Sequence, residues 1–415
     1  MSCLSEPLPT TRTTTTRGGP GGGPGRVAAA SAVCLTLVLT ACSGGGSAAS
    51  PSPGTTSTST TSSPSATTPS PAPSGVSGRG LPADLTAAVR PLYAGGRVAA
   101  PAAVVAALAS RRTPSTPVAL TGRTGTWKGT PIAVVTAGKD VTLAVKAPTW
   151  RVVGGWWPSL GVKGPQLGGN RRVLLIGSDA RTLQGQKVDR SRADSLHVVG
   201  VDGHGGGGVL GFARDAYVPL STGGRDKINA AMVFGGPKAE LQTVRNITGL
   251  PIEGYLLTGF GGFRSIVNGA GGLPITLPRA VHDKASKADL GAGRQKLDGK
   301  KALAYSRARK SVAGGDFGRS ANQGLVILAA AAMTRLAGPS ALPAMLARAA
   351  PSLQTDLSAD QVLTLAATVF VTDIGKVGNK VAQGGFGTTS GGASIVLLDG
   401  QARRYFADLR DGNLP

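Results

Sequence analysis

Arginines and aspartates recur along this chain in short, tight clusters. "GSDAR" holds Asp179 and Arg181, "SRADS" holds Arg192 and Asp194, and "FARDAY" holds Arg214 and Asp215. "RDKINAA" adds Lys227 and Asn229. "YSRARKSVAGGDFGRS" crowds Arg307, Arg309, Lys310 and Arg319 around Asp316, with Gln323 one helical turn further on. Two carboxylates, completed by waters and substrate phosphates, are a normal way to hold Mg²⁺. Arginine forks clamp phosphoryl oxygens. The clusters suit chemistry on a phosphate ester. They also suit a plainer role, because an exposed Asp–Arg pair contributes only ~0–1 kcal/mol to a fold.

Spacing sharpens the last cluster. On one continuous helix Arg307 and Arg309 would point about 200° apart and share no ligand. They converge only if the helix stops near Arg307 and the chain then extends. Gly314 and Gly315 agree with a loop there. The alternative is an ordinary helix end that attracts cations through its dipole.

The elements that must position these groups alternate in type. "RRVLLIGSD" from residue 171, "DSLHVVGVD" (194 to 202) and "VLGFARD" (209 to 215) read as strands, the last two joined by the glycine run "HGGGG" (204 to 208). That run is no phosphate loop, since no Gly-Lys-Ser/Thr follows it. Further strands are predicted at 131 to 136, 141 to 145, 274 to 277 and 394 to 400. Helical patterns lie at 84 to 110, 227 to 233, 237 to 248, 260 to 268, 298 to 307, 319 to 337, 340 to 349 and 358 to 369. The expected fold class is α/β, an α-β-α layered domain with a central mixed sheet and helices on both faces. "WRVVGGWWP" (150 to 158) holds three of the four tryptophans; packing is their expected role and sugar stacking the rival.

The 415 residues carry a net charge of +23, which attracts polyanions such as nucleic acid, an anionic membrane or a phosphate-rich wall polymer. Aromatics make up only 4%, too few for base-stacking platforms. No zinc-finger, basic-zipper or RNA-recognition signature is present, so no nucleic-acid partner is expected. The three cysteines, Cys3, Cys34 and Cys42, all precede the globular part, which leaves it without disulfides or thiolate chemistry. His197, His204 and His282 show no zinc-ligand spacing.

Arg12, Arg17 and Arg26 flank an uncharged run, "VAAASAVCLTLVLTAC" (27 to 42). As a helix it would span roughly 24 Å, short of the ~30 Å hydrocarbon core. This pattern predicts a secretory signal. Residues 43 to 78 contain Ser, Thr, Pro, Gly and Ala with one Val and no charge, the composition of a tether. The expected organisation is a signal at 1 to 42, a disordered tether at 43 to 80, an accessory region at 81 to 165 packed on the sheet, and a catalytic domain at 166 to 415.

Two resemblances add to this reading. "LTAC" resembles the lipobox of bacterial lipoproteins, which implies cleavage before Cys42, lipidation of Cys42 and a lipid anchor on the outer face of the cytoplasmic membrane. "VLLIGSDAR", "RADS", "FARDAYVPL", "DKINAAMVFGGP", "LDGKKALAYSRAR" and "GDFGRSANQ", in this order over residues 171 to 328, resemble the LytR-CpsA-Psr family of bacterial cell-wall enzymes. The resemblance implies a phosphotransferase that moves a glycopolymer from a polyprenyl-diphosphate carrier to peptidoglycan. It implies α-β-α layers with a greasy channel for the lipid, which "GLVILAAAA" (324 to 332) would line unless it is plain core.

By motif, Asp179 and Asp194 match the family's Mg²⁺-associated acids, with Mn²⁺ the alternative ion. Arg181, Arg214, Arg307 and Arg309 match its pyrophosphate-binding arginines. Lys227, Asn229, Asp316, Arg319 and Gln323 fall in its signature blocks. Asp215 and Asp179 are both candidates for the base. The chain departs from the pattern at Asn322, where an arginine is common, at Ala193, and in its lipobox in place of a transmembrane helix. The rival functions are a polyprenyl-diphosphate glycan pyrophosphatase and a wall- or lipid-binding lipoprotein without turnover.

Overall fold

The computed structural model describes residues 75 to 414. The expected signal, Cys42 and the tether as far as residue 74 lie outside the described residues. The globular part begins before the expected boundary at 81. β1 (Val76–Gly78) pairs in parallel with the start of β2 (Val118–Trp127), and Val76 is buried. The long helix expected at 84 to 110 is three short ones, α1 (Ala83–Val89), α2 (Pro91–Ala94) and α3 (Ala102–Leu108). Pro91 opens α2 and Pro101 precedes α3, because proline lacks the N–H that would continue the preceding turn.

β2 continues into an antiparallel meander with β3 (Thr130–Ala137), β4 (Asp140–Lys146) and β5 (Trp150–Trp156). One face buries Leu85, Leu92, Leu108, Trp150 and Trp157. Trp157 Nε1 donates to Thr142 Oγ1 at 2.8 Å, so this tryptophan is a packing residue. The other face, with Ile132, Val134 and Leu143, packs on the second half of the chain.

That half is built on a six-stranded mixed sheet. β6 (Arg171–Ser178), β7 (Ala193–Val201) and β8 (Gly207–Gly211) run antiparallel. β8 starts inside the expected glycine loop, since Gly207 and Gly208 pair with Val201 and Gly200 through backbone groups that need no side chain. A ribbon of β9 (Tyr217–Pro219) and β10 (Arg225–Lys227) leads into α4 (Ala231–Thr248). This helix begins later than the expected 227, after a 3₁₀ turn at Ile228–Ala230, and breaks at Gly236, whose φ is 75°. β11 (Tyr255–Gly259) joins β6 in parallel, followed by α5 (Phe260–Gly269) and β12 (Leu273–Leu277). The hairpin of β13 (Val281–Asp283) and β14 (Ala288–Leu290) precedes β15 (Gly293–Leu297), which returns to β12.

α6 (Gly299–Arg307), α7 (Asp316–Ala337) and α8 (Leu342–Ala349) follow. β16 (Gln354–Thr355) closes one sheet edge against β11, and after α9 (Ala359–Ala367), β17 (Gly378–Val381) closes the other against β8. The hairpin of β18 (Gly384–Thr388) and β19 (Ser394–Leu398) and then α10 (Gly400–Asp408) complete the order.

Alternation along the sheet explains the layers. Leu174, Ile176, Leu196, Val198 and Leu210 point into a core shared with α4 and α10. Val173, Leu175 and Val199 point the other way, toward α8 and α9. Each fully buried leucine or isoleucine contributes roughly 1.5–3 kcal/mol. Arg171 fastens the start of β6, forking onto Glu253 at 2.7 and 2.6 Å and reaching Thr364 Oγ1 at 2.8 Å.

Glu240 sits fully buried below the break in α4. Its Oε2 accepts the Met232 N–H at 2.9 Å and its Oε1 has no partner. Burial pushes this carboxyl up to about 8, against the lowering effect of the Met232 amide. A carboxyl raised in the folded state stabilises fully below its unfolded value near 4.5 and loses that contribution as pH rises toward about 8. At most ~1.4 kcal/mol is lost per pH unit, and local relaxation leaves on the order of 2 kcal/mol between pH 5 and pH 8. Glu240→Gln flattens that dependence in urea unfolding; an unchanged slope refutes the assignment.

Candidate active site

The β6–β7 pairing sets Ser178 opposite Ala193, which brings Asp179 beside the start of β7 and near Asp194. The Asp179 N–H donates to Arg192 O at 3.0 Å, and the Arg192 N–H donates to Asp179 Oδ1 at 3.1 Å. Burial, and then the negative charge of Asp194, push the Asp179 carboxyl above its usual range. The chain leaves β8 in a turn that carries Arg214 and Asp215. Arg214 Nη1 donates to Asp194 Oδ1 at 2.5 Å, and Lys227 Nζ lies 2.9 Å from Asp215 Oδ1. Burial works against the Arg214 cation, but Asp194, Asp215 and Asp316 together hold its proton more tightly than usual.

The side chains of Asp215 and Asp316 lie within reach of each other at one pocket, and each shifts the other. Burial raises both. At Asp215 the Lys227 ammonium and the Asp316 contact outweigh it, so that carboxyl is held low and ionised. At Asp316 burial and Asp215 outweigh Arg319 and Arg309, so that carboxyl is raised above its usual range. Arg309 Nε and Arg319 Nη2 approach Asp316 Oδ1 at 3.0 and 3.1 Å, off the line of a full hydrogen bond.

α6 stops at Arg307, and Ala308 is extended with φ −61° and ψ 128°. The helix stops where the two-residue spacing requires, but the two guanidiniums do not converge: Arg307 turns to Phe260 and Arg309 to Asp316. What holds the extended turn is Asp283, at the end of β13. Its Oδ2 accepts the Arg309 and Lys310 N–H groups at 2.8 Å each, and its Oδ1 accepts the Ser286 N–H at 3.0 Å. Burial alone would raise this carboxyl; the amides of Ser286, Arg309, Lys310 and Ser311 outweigh it and pull it down to about 2.

The sequence reading missed Asp283. Its partners are backbone amides 26 and 27 residues away, which leave no spacing signal.

Arg192, Arg214, Asp215, Lys227, Asn229 and Arg309 line one basin. Asp179 and Arg181 line a neighbouring one with Lys187 and Arg190, and Arg192 borders both. Arg181 is exposed on the arm after β6. Arg307 stands apart from the first basin, with its guanidinium 4.7 Å over the Phe260 ring. Gln323 Nε2 bonds Ser306 O at 3.0 Å and Asp194 O at 3.4 Å, so it braces the turn before Arg307 against β7. Asn322 accepts from the Tyr305 hydroxyl at 3.0 Å and ties α6 to α7.

α7 links this polar floor to a greasy one. Arg319 and Gln323 stand on the same helix face as Ile327, Ala331 and Thr334, spaced three or four residues apart. The last three line an apolar groove of about 370 Å³, closed on its other side by Val173, Leu175, Val199 and Leu256 from the sheet. "GLVILAAAA" thus contributes to an open groove as well as to packing. From Arg319 to Thr334 the stripe runs roughly 22 Å.

Among the described residues, no third Asp, Glu, His or Cys joins Asp179 and Asp194. Two neighbouring carboxylates, one of them raised by burial and then by the other's charge, fit a small divalent cation that draws its remaining ligands from water and phosphate.

Residues 158–403 match the model of the LytR_cpsA_psr family. The chain is similar to the "probable cell wall biosynthesis protein LcpB" of Corynebacterium glutamicum, 35% identical over 34% of this chain and 36% of that one. It is similar to the polyisoprenyl-teichoic acid–peptidoglycan teichoic acid transferase TagU of Enterococcus faecalis, 32% identical over 55% of this chain and 75% of that one. Over the first two curated relatives the match spans only about two fifths of their length. The crystal structure of B. subtilis TagV superposes with a TM-score of 0.51 at 25% identity, covering 60% of this chain and 99% of that one. With the family model matched over more than half of its length, and its clustered acids and arginines set at the strand ends of this mixed sheet, the chain belongs to the LytR_cpsA_psr family.

Proposed function

We propose that this protein transfers a glycopolymer from a polyprenyl-diphosphate carrier to peptidoglycan in cell-wall assembly. The observation that carries this reading is the α7 stripe. α7 starts beside the polar floor, with Arg319 paired to Asp316 at the edge of the Asp215–Arg309 pocket, and lines an apolar groove two turns later, the shape of a diphosphate head joined to a hydrocarbon tail. The relatives' names, transferases of polyisoprenyl-linked teichoic acid to peptidoglycan, support it.

In this reading Arg214, Arg309 and Arg319, with Lys227, grip the diphosphate, while Arg181 and Arg307 hold it from the flanks. The acceptor hydroxyl oxygen attacks the glycan-side phosphorus. The phosphoanhydride bond breaks, and polyprenyl phosphate leaves. Asp215, whose carboxyl the Lys227 ammonium helps hold below its usual range, takes the hydroxyl proton. The transfer gathers charge on phosphoryl oxygens, which placed cations stabilise without covalent chemistry. Mg²⁺ on Asp179 and Asp194 would add charge neutralisation at the diphosphate. Lipidation at Cys42 would keep the domain at the outer membrane face, within the cell envelope to which the relatives' names point.

The test incubates the full chain with a radiolabelled polyprenyl-diphosphate glycan, peptidoglycan and Mg²⁺. Label in the wall polymer is expected, with loss of turnover in EDTA and its return on adding Mg²⁺. Free phosphosugar without labelled wall would make the protein a pyrophosphatase. Donor binding without either product would make it a carrier.

A further inference from the structure

We propose that the β18–β19 hairpin is the acceptor subsite, where a neutral hexose ring of the glycan strand lies against Phe386 and its hydroxymethyl arm reaches Asp215. The inference rests on the transfer reaction proposed above and assigns the side from which the hydroxyl arrives. Phe386 is 74% exposed, while most large apolar side chains in this domain are buried. It stands in "GGFGT", flanked by Gly384, Gly385 and Gly387, so nothing on the strand screens its ring. Phe317 meets it edge-on at 5.9 Å and fixes its orientation. A flat, bare, braced ring is the surface on which the apolar face of a sugar stacks.

The hairpin is also tied to the reacting groups. The Val396 N–H donates to Asp215 O at 2.9 Å, and Val396 bridges Ala216 in parallel. Between the hairpin and the loop at Gly314 and Gly315 lies a pocket of about 140 Å³, lined by Phe386, Ser394, Arg309, Asp215 and Asp316. That is several times the ~30 Å³ share of one liquid water, which admits a hydroxymethyl arm while the ring stays outside. The groove for the donor's lipid lies along α7 and β6, and the hairpin supplies none of its lining. Donor and acceptor therefore approach from different sides. The acceptor oxygen bonds to the glycan-side phosphorus as the anhydride bond opens, and its proton passes to Asp215.

Phe386→Ala in the full chain is expected to raise the acceptor KM about tenfold, equivalent to 1.4 kcal/mol, with donor KM and kcat within twofold. Phe386→Trp restores the acceptor KM. An unchanged acceptor KM, or an equal loss in donor KM, overturns the subsite. A separate arm needs no turnover: a β-1,4-linked N-acetylglucosamine tetramer is titrated into wild type and Phe386→Ala, with the Trp variant as control. Binding that weakens only in the Ala variant supports the subsite even if the transfer reading fails. Equal binding by wild type and Phe386→Ala, or none by wild type, overturns it even if transfer is confirmed.

Discussion

Arg214→Ala lowers kcat by about 10²–10³-fold, the range seen when one preorganised charge donor is removed from a transition state. Arg214 pairs with Asp194, an acid proposed to hold the metal, donating to it at 2.5 Å, and borders the basin that holds Asp215, Lys227 and Arg309. Removing it withdraws a cation from the phosphoryl oxygens and leaves Asp194 without its ion pair. Arg214→Lys recovers only a small part, because one ammonium cannot serve Asp194 and a phosphate in the fixed geometry of a fork. The split of kcat and donor KM in steady-state assays, alongside an unchanged urea midpoint, reads the effect. A kcat within threefold of wild type would remove Arg214 from the reaction.

Asp283→Ala is expected to act through position alone. It leaves the amides of Arg309, Lys310 and Ser286 without their carboxylate acceptor. Hydrogen bonds to a charged group contribute about 1.5–3 kcal/mol each, and water replaces part of this at a surface turn, so a total loss near 3 kcal/mol is expected. The turn that carries Arg309 then loosens, and kcat/KM falls roughly 100-fold, about 2.7 kcal/mol of transition-state stabilisation.

Two further readouts separate this from general damage. Asp283→Asn keeps one acceptor oxygen and recovers part of both effects. The wild-type Asp283 carboxyl also sets an acid limb: a carboxyl pulled down to about 2 stabilises above its unfolded value and loses that contribution as pH falls toward about 2. Wild type loses stability through that window and the alanine variant does not, apart from other acids common to both. A variant with native stability and native kcat/KM would show that the turn holds itself.

The break after Arg307 was legible because it followed from the angle between two side chains on a helix. The pairing of Asp179 with Asp194 was legible because antiparallel pairing of consecutive strands sets the end of one beside the start of the next. The α-β-α layers followed from alternation, with both faces of β6 apolar.

The misses have physical causes. Asp283 acts on backbone amides, which every residue owns. β18 and the first residues of β8 are glycine-rich, and glycine signals a loop although its backbone pairs as well as any other. Pro91 and Pro101 were visible, yet the run of alanine and valine outweighed them in the helix reading. Asn322 looked like a lost phosphate contact; its bond to Tyr305 is a link between helices, visible only once α6 and α7 are packed.

The stripe on α7 has a consequence for turnover. The proposed leaving group, polyprenyl phosphate, retains both features that seat the donor: a phosphate for Arg319 and a tail for the groove. Product and donor are therefore rivals for the same helix face. Fresh donor must displace a spent carrier whose tail is unchanged, and the second phosphate with its glycan is the only advantage the newcomer has. On the proposed reaction, exchange of lipids along this one helix is therefore a step of every cycle.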